Sequence, residues 1–117
     1  LKSLIENDTY FLRVDMLGLM ASLYDGIDSK NPLAWPYHAD SSMLEGLPPH
    51  AITVNELDPL RDEGLAYSDK LKNAGISVST KIIKGTVHAA ENIFPVEIPE
   101  IHEQAIEDIK SFSYSLK

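Results

Sequence analysis

The spacing of apolar residues predicts a helix near the start of the chain. Between residues 10 and 24, apolar side chains recur every three or four positions, as they do along one face of an α-helix. Asp25-Gly26 is expected to end this helix, because glycine readily adopts the left-handed conformation of a helix C-cap. Residues 1–9 are polar and are predicted to be irregular, with candidate helix caps at Asn7, Asp8 and Thr9.

A strand–helix–strand unit is predicted for residues 51–83. Residues 51–57 favour β structure and are mostly apolar, which is typical of a buried strand in a parallel sheet. Gly75 is expected to close the helix that follows, whose apolar stripe comprises Leu60, Gly64, Tyr67, Leu71 and Ala74. From residue 76 to 83 apolar and polar residues alternate, which indicates a strand with one polar face. This is the length of one β–α–β crossover, so the predicted fold class is α/β with parallel strands and flanking helices.

The connections around this unit are rich in proline. Each proline in residues 25–50 disfavours helix at the residue before it, as in Asn31-Pro32, Trp35-Pro36 and Pro48-Pro49. Trp35 and Tyr37 have two interpretations that stay open: they fix this long connection to the body of the protein, or they line a pocket. Residues 41–45 are predicted to form one helical turn. A second stretch with prolines, 94–99, precedes a final helix with the apolar stripe Ile98, Ile101, Ala105, Ile109, Phe112 and Leu116.

The composition describes one small acidic domain, or part of one. The chain has 117 residues, and its formal net charge of −8 argues against nucleic acid and anionic membranes as partners. No apolar run approaches the roughly 18 residues of a membrane span, so a soluble protein is expected, with the cytoplasm as one option for its compartment. Without cysteine there is no disulfide framework and no thiolate metal site. The N-terminus shows no signal-peptide pattern. Because the chain lacks an initiating Met, a processed product or a fragment is expected.

Two polar side chains follow the predicted parallel strands. Asp58 comes directly after the first strand, and His88 follows the second by a few residues. Because neighbouring parallel strands end at the same edge of a sheet, both side chains are expected at that edge, where sites form in such folds. A carboxylate that orients a histidine beside a nucleophile is the arrangement of a catalytic triad.

Both residues also have simpler interpretations. Asp58-Pro59 is a good helix start, with Asp58 as the N-cap and Pro59 at the first helical position. His88 is equally compatible with a loop histidine that has no role. No metal-ligand spacing relates His88 to the other three histidines, His38, His50 and His102, and no phosphate-binding glycine loop is present.

Several segments resemble the C-terminal part of the hormone-sensitive-lipase-like α/β-hydrolases, a group of esterases with a serine nucleophile. The segments are Gly46–Pro49, Asn55–Gly64, Ala74–Gly75 and Gly85–His88, and the run Asn31–Tyr37 is most similar to brefeldin A esterase-like members of the group. The resemblance implies that Asp58 is the acid and His88 the base of a Ser-Asp-His triad. Many members of the group follow the histidine with Gly-Phe, whereas this chain has Ala89-Ala90.

The resemblance also implies what else the protein needs. No serine of this chain lies in a Gly-x-Ser-x-Gly motif, and in this fold the triad order is Ser, then acid, then His. Residues 1–117 are therefore expected to be the C-terminal part of a single α/β-hydrolase domain, inactive alone, with the nucleophile and oxyanion loop upstream. The expected activity is the hydrolysis of small-molecule carboxylic esters without a cofactor, in an enzyme that forms a homodimer.

Two other functions stay open at the level of the sequence. An amidase or peptidase of the same fold would use the same residues, because the preferred leaving group depends on the shape of the pocket. A non-catalytic α/β module would instead bind a partner through the connection that carries Trp35 and Tyr37.

Overall fold

A two-stranded parallel sheet lies at the centre of the chain, in a computed structural model that describes residues 1–117. One helix of the chain connects the two strands, and the other elements precede or follow this unit. In chain order the elements are α1 (Ser3–Glu6), α2 (Val14–Tyr24), a 3₁₀ turn (Pro36–His38), α3 (Ser41–Leu44), β1 (His50–Asn55), α4 (Arg61–Asn73), β2 (Val78–Ile83), α5 (Ala90–Ile93) and α6 (Pro99–Ser115). The predicted α/β class with parallel strands is confirmed.

The register of the sheet brings the carboxyl ends of both strands to one edge. His50 of β1 pairs with Val78 of β2, and the pairing runs to Asn55 opposite Ile83. β1 ends two residues earlier than predicted. The Glu56 N–H still donates to the Ile83 carbonyl at 3.0 Å, but the Asp58 N–H turns back to the Asn55 carbonyl at 3.3 Å. The chain therefore leaves the strand in a tight turn just before Asp58.

Helix α4 covers one face of the sheet at close range. An ideal Cβ built on Gly64 would lie 2.7 Å from Cγ1 of Val54 on β1, so helix and strand approach too closely for a larger residue. Further along the helix, Leu71 is fully buried in a cluster with Ala39 and Leu44. The predicted apolar stripe of this helix thus faces the sheet and the preceding connection.

This close contact predicts that Gly64→Ala destabilises the complete protein. Alanine is the better helix former by about 1 kcal/mol, but the clash with Val54 should reverse the sign and cost about 1–3 kcal/mol. Chemical denaturation would measure the change in the free energy of unfolding. The double variant Gly64→Ala/Val54→Ala is the control, since it should cost less than the sum of the single variants. A more stable Gly64→Ala protein would contradict the prediction.

The long connection before β1 is attached to α4 by a lysine. Nζ of Lys70 donates to the carbonyl of Tyr37 at 2.6 Å and to that of Ala39 at 3.1 Å, and it lies 5.2 Å from the centre of the Tyr37 ring. The Trp35 ring packs edge-on against Tyr24 of α2, with 5.4 Å between ring centres. For both aromatic residues, these contacts match the interpretation that they fix the connection in place. The helical turn predicted for residues 41–45 is confirmed as α3.

The N-terminal segment differs from the prediction in two ways. The prediction that residues 1–9 are irregular is wrong, because α1 forms there and its buried Ser3 bonds to the start of α4. The next helix begins at Val14 instead of near residue 10, and its first N–H donates to Oδ1 of Asp8 at 2.8 Å. Its predicted end at Gly26 is confirmed by a φ of +89°.

The second face of the sheet is open within residues 1–117, so the predicted burial of β1 is incomplete here and stays a prediction for the complete protein. Ala51 and Thr53 are exposed, although Val54 and Asn55 are buried. Helix α6 stands across a cleft of about 990 Å³ from this face and is joined to it by an ion pair between Lys81 and Asp108. Helix α2 has no buried residue at all. No helix combines the length and the apolar character needed to cross a bilayer.

Candidate active site

Asp58 and His88 meet at the edge of the sheet where both strands end. Nδ1 of His88 donates to Oδ2 of Asp58 at 2.8 Å. The Asp58 side chain is 8% exposed and that of His88 is 36% exposed, so the carboxylate is buried and the imidazole reaches solvent. The pair predicted from strand order is therefore in contact.

The two oxygens of the Asp58 carboxylate have separate partners. Oδ2 accepts from His88, and Oδ1 accepts from the backbone N–H of Leu60 at 2.9 Å. Helix α4 begins at Arg61 with Leu60 as its N-cap residue, so the alternative in which Asp58 is the N-cap and Pro59 the first helical residue is wrong. The contact with Leu60 instead holds Asp58 in the turn before the helix, with its other oxygen free to face His88.

The contact with Asp58 also determines which nitrogen of His88 carries the proton. An ionised carboxylate is only an acceptor, so Nδ1 must be the donor. In the neutral imidazole this leaves an unprotonated Nε2 with a lone pair. The arrangement can therefore take up a proton at Nε2 and stabilise the resulting positive charge through Asp58.

Residues from the start of the chain hold the turn that carries Asp58. Both contacts of the buried Asn7 amide are donated to this turn, to the carbonyls of Glu56 and Asp58 at 3.1 Å each. Oγ of Ser3 donates to the Pro59 carbonyl at 2.7 Å and accepts from the N–H of Asp62 at 3.1 Å. These contacts fix the backbone on both sides of Asp58.

Asp62, which Ser3 contacts, has a carboxyl group with a shifted pKa. Burial alone would raise the pKa of Asp62, but the Ser3 N–H at 2.8 Å and the Arg61 guanidinium outweigh burial and hold that pKa below its usual value. Arg61 also donates to the carbonyl of Glu56 at 3.0 Å. If Asp58 were only a helix cap, the first turn of α4 would be a solvated surface. Instead, this first turn helps to hold the turn that carries Asp58.

The loop after β2 has its own support. The side chain of Glu56 accepts from the Gly85 N–H at 2.8 Å and from Lys84 at 2.9 Å, and these two contacts lower the pKa of Glu56. Ala89 follows His88 in the left-handed conformation, with a φ of 51°. Glycine adopts this conformation readily. Ala89, which stands where many family members have glycine, therefore has the backbone conformation that a glycine would adopt.

The remaining histidines lie elsewhere. His38 is exposed beside Tyr37. His50, at the opposite end of β1, has Nδ1 2.7 Å from the Pro48 carbonyl, and His102 on α6 has Nδ1 2.8 Å from the Glu91 carbonyl. No group of three or more His, Asp or Glu side chains is placed to hold a metal ion.

A cavity of about 990 Å³ does not coincide with the Asp58–His88 pair. It is the cleft between α6 and the open face of the sheet, and neither Asp58 nor His88 lines it. The Asp58–His88 pair can take up a proton, whereas the cleft is a face of the sheet that no other element covers. The pair is therefore the better candidate for a catalytic site.

Sequence reasoning did not identify the buried polar residues around this pair. Asn7, Asn55 and Glu91 are all at most 9% exposed. Asn7 bonds to the turn of Asp58, Asn55 bonds to the loop of His88, and Glu91 bonds to Asn55. The one available signal was Asn55, a polar residue at the end of an apolar strand.

Comparisons with known proteins agree on a single family. A family model described as the alpha/beta hydrolase fold matches residues 2–92. The chain is 38% identical over 73 residues to Lipase 2 from Moraxella sp., covering 62% of this chain and 16% of that protein. It is 35% identical over 66 residues to human hormone-sensitive lipase, covering 56% of this chain and 6% of that protein.

A solved structure is similar over nearly the whole chain. Brefeldin A esterase, described as a bacterial homologue of human hormone-sensitive lipase, superposes with a TM-score of 0.92 at 43% identity. The match covers 96% of this chain and 32% of the esterase. The chain thus spans about a third of that structure and a smaller share of the two relatives named above.

Proposed function

We propose, given that this chain belongs to the α/β-hydrolase family, that the complete protein hydrolyses carboxylic esters and that Asp58 and His88 are the acid and base of its catalytic triad. The predicted resemblance to the hormone-sensitive-lipase-like esterases is confirmed by the relatives described above. The activity rests on one observation in particular. The buried carboxylate of Asp58 orients a partly exposed histidine at 2.8 Å, at the carboxyl ends of two adjacent parallel strands.

In this proposal His88 moves the protons of the reaction. Its Nε2 accepts the proton of the serine hydroxyl as the serine attacks the ester carbonyl, and the imidazolium then protonates the departing alcohol. A water molecule cleaves the acyl-enzyme by the same route, with Nε2 again as the base. Asp58 stays ionised throughout, keeps the proton of the neutral ring on Nδ1 and stabilises the imidazolium.

In this proposal, residues 1–117 are the C-terminal part of a single α/β-hydrolase domain. The nucleophile and the oxyanion donors would come from other residues of that domain. No serine here lies in a Gly-x-Ser-x-Gly motif. Large apolar side chains of α2 are exposed, among them Met16, Leu19, Met20 and Leu23. Upstream parts of the domain would cover this helix and complete the pocket. The homodimer and the lack of nucleic-acid partners stay predictions.

The test compares the complete protein with residues 1–117 alone. We expect the complete protein to hydrolyse a short-chain p-nitrophenyl ester and to be labelled by a fluorophosphonate on one serine outside residues 1–117. The isolated chain should do neither, because it lacks that nucleophile. An amide matched to the ester in its acyl group distinguishes an esterase from an amidase. Turnover by purified residues 1–117, or a complete protein that binds no fluorophosphonate, would contradict the proposal.

A further inference from the structure

One buried asparagine connects the turn of Asp58 to the loop of His88. Asn55 is the last residue of β1, and its Oδ1 accepts from the N–H of Ala89 at 3.0 Å. Its Nδ2 donates to Oγ1 of Thr86 at 2.9 Å and to Oε2 of Glu91 at 2.8 Å. A single side chain three residues before Asp58 therefore holds the His88 loop on both sides of the histidine.

We propose that Asn55, oriented by Glu91, is a positioning residue that keeps His88 against Asp58; this inference rests on the proposed function. No hydrogen bond joins Asn55 to the His88 side chain, whose partner is Asp58. Asn55 acts through the backbone of Ala89, the residue that follows the histidine, and through Thr86, which precedes it by two positions.

The chemistry of the three side chains allows one orientation of the amide. A carboxylate of Glu91 can only accept, so Nδ2 of Asn55 must point toward it, and Oδ1 is then left to face the Ala89 N–H. The hydroxyl of Thr86 is already committed as a donor to the Ile83 carbonyl at 2.8 Å, which makes its oxygen an acceptor for the same Nδ2. Asn92 donates to the other oxygen of Glu91 at 3.1 Å and steadies that carboxylate.

The hydrogen bonds of Asn55 are buried, and one of them holds an unusual backbone conformation. Asn55 and Thr86 are 5% exposed and Glu91 is 9% exposed, so water cannot replace a lost partner. Ala89 has a φ of 51°, which a residue with a side chain adopts only when its surroundings hold it there. The hydrogen bond from its N–H to Asn55 is a contact that can do so. Without Asn55, the loop can relax toward an ordinary conformation and carry the His88 ring away from Asp58.

Asn55→Ala in the complete protein is the first test. A displacement of the base by about 1 Å should lower kcat by about 10²-fold, while KM changes little because no substrate contact is removed. The proton on Nδ1 of His88, seen by NMR as a downfield resonance, should weaken or disappear. A residue that only contributes to stability would lower the melting temperature without changing kcat per folded molecule or this resonance.

A swap of the amide and the carboxylate is the matched control. Asn55→Asp places two carboxylates opposite each other and should lower kcat. Asn55→Asp/Glu91→Gln restores one donor facing one acceptor, with the same total charge as the natural pair. We expect its kcat to exceed that of Asn55→Asp by about tenfold. This comparison also tests the positioning role of Asn55 if Asn55→Ala does not fold.

The outcomes separate this inference from the proposed function. A natural protein without ester hydrolysis would overturn the proposed function, and the His88 resonance in the natural and Asn55→Ala proteins would still test the positioning role. An active natural protein whose kcat and His88 resonance both survive Asn55→Ala would overturn the positioning role alone. No gain of the double variant over Asn55→Asp would also count against it.

Discussion

Asp58→Asn is expected to lower the turnover of the complete protein by about 10⁴-fold while the fold stays intact, a magnitude known from a triad on an unrelated fold. Oδ1 of the asparagine can still accept from the N–H of Leu60, so the turn before α4 should keep its shape. The amide group would instead present its NH₂ to His88. The imidazole would then accept at Nδ1 and carry its proton on Nε2, the nitrogen that must be free to act as the base.

The measurement is the steady-state kcat for a short-chain ester, together with the melting temperature of each variant. Asp69→Asn is the matched control, because Asp69 is an exposed residue of α4 that pairs only with Lys72 on the surface. It should leave kcat unchanged. If Asp58→Asn loses less than about tenfold with an unchanged melting temperature, Asp58 is not the acid of the triad.

His88→Ala is expected to abolish ester hydrolysis and fluorophosphonate labelling in the complete protein. Removal of the base of a serine triad costs up to about 10⁶-fold in kcat. The variant should fold normally, since the His88 side chain is 36% exposed and its described contact is with Asp58.

The other three histidines provide the controls for this experiment. His50→Ala should keep full activity because His50 lies at the opposite end of β1 and bonds to the Pro48 carbonyl. His102→Ala removes only a contact to a backbone carbonyl of Glu91, and His38→Ala removes an exposed ring. If His38→Ala lost activity and labelling while His88→Ala kept both, the assignment of the base and its alignment to the esterase family would be wrong.

Local patterns in the sequence are enough to predict the central unit of the fold. The helical stripe that includes Leu71 and the alternation in residues 76–83 are local patterns with a period of their own, so they predict α4 and β2 without knowledge of the rest. The contact of Asp58 with His88 also followed from the chain order, because two adjacent parallel strands end at one edge. Their catalytic roles remain predictions that the two experiments above would test.

How this pair is held, and which faces are covered, depends on contacts that form only in the folded chain. The contacts that hold it join residues far apart in the chain, as between Asn7 and Asp58 or between Asn55 and Glu91. Such polar contacts have no period along the sequence, so no local pattern could reveal them. Helix α1 also depends on such contacts, since it forms where Ser3 bonds to the start of α4. Likewise, the apolar pattern of β1 shows that its faces can be buried, but whether they are depends on which segments pack there.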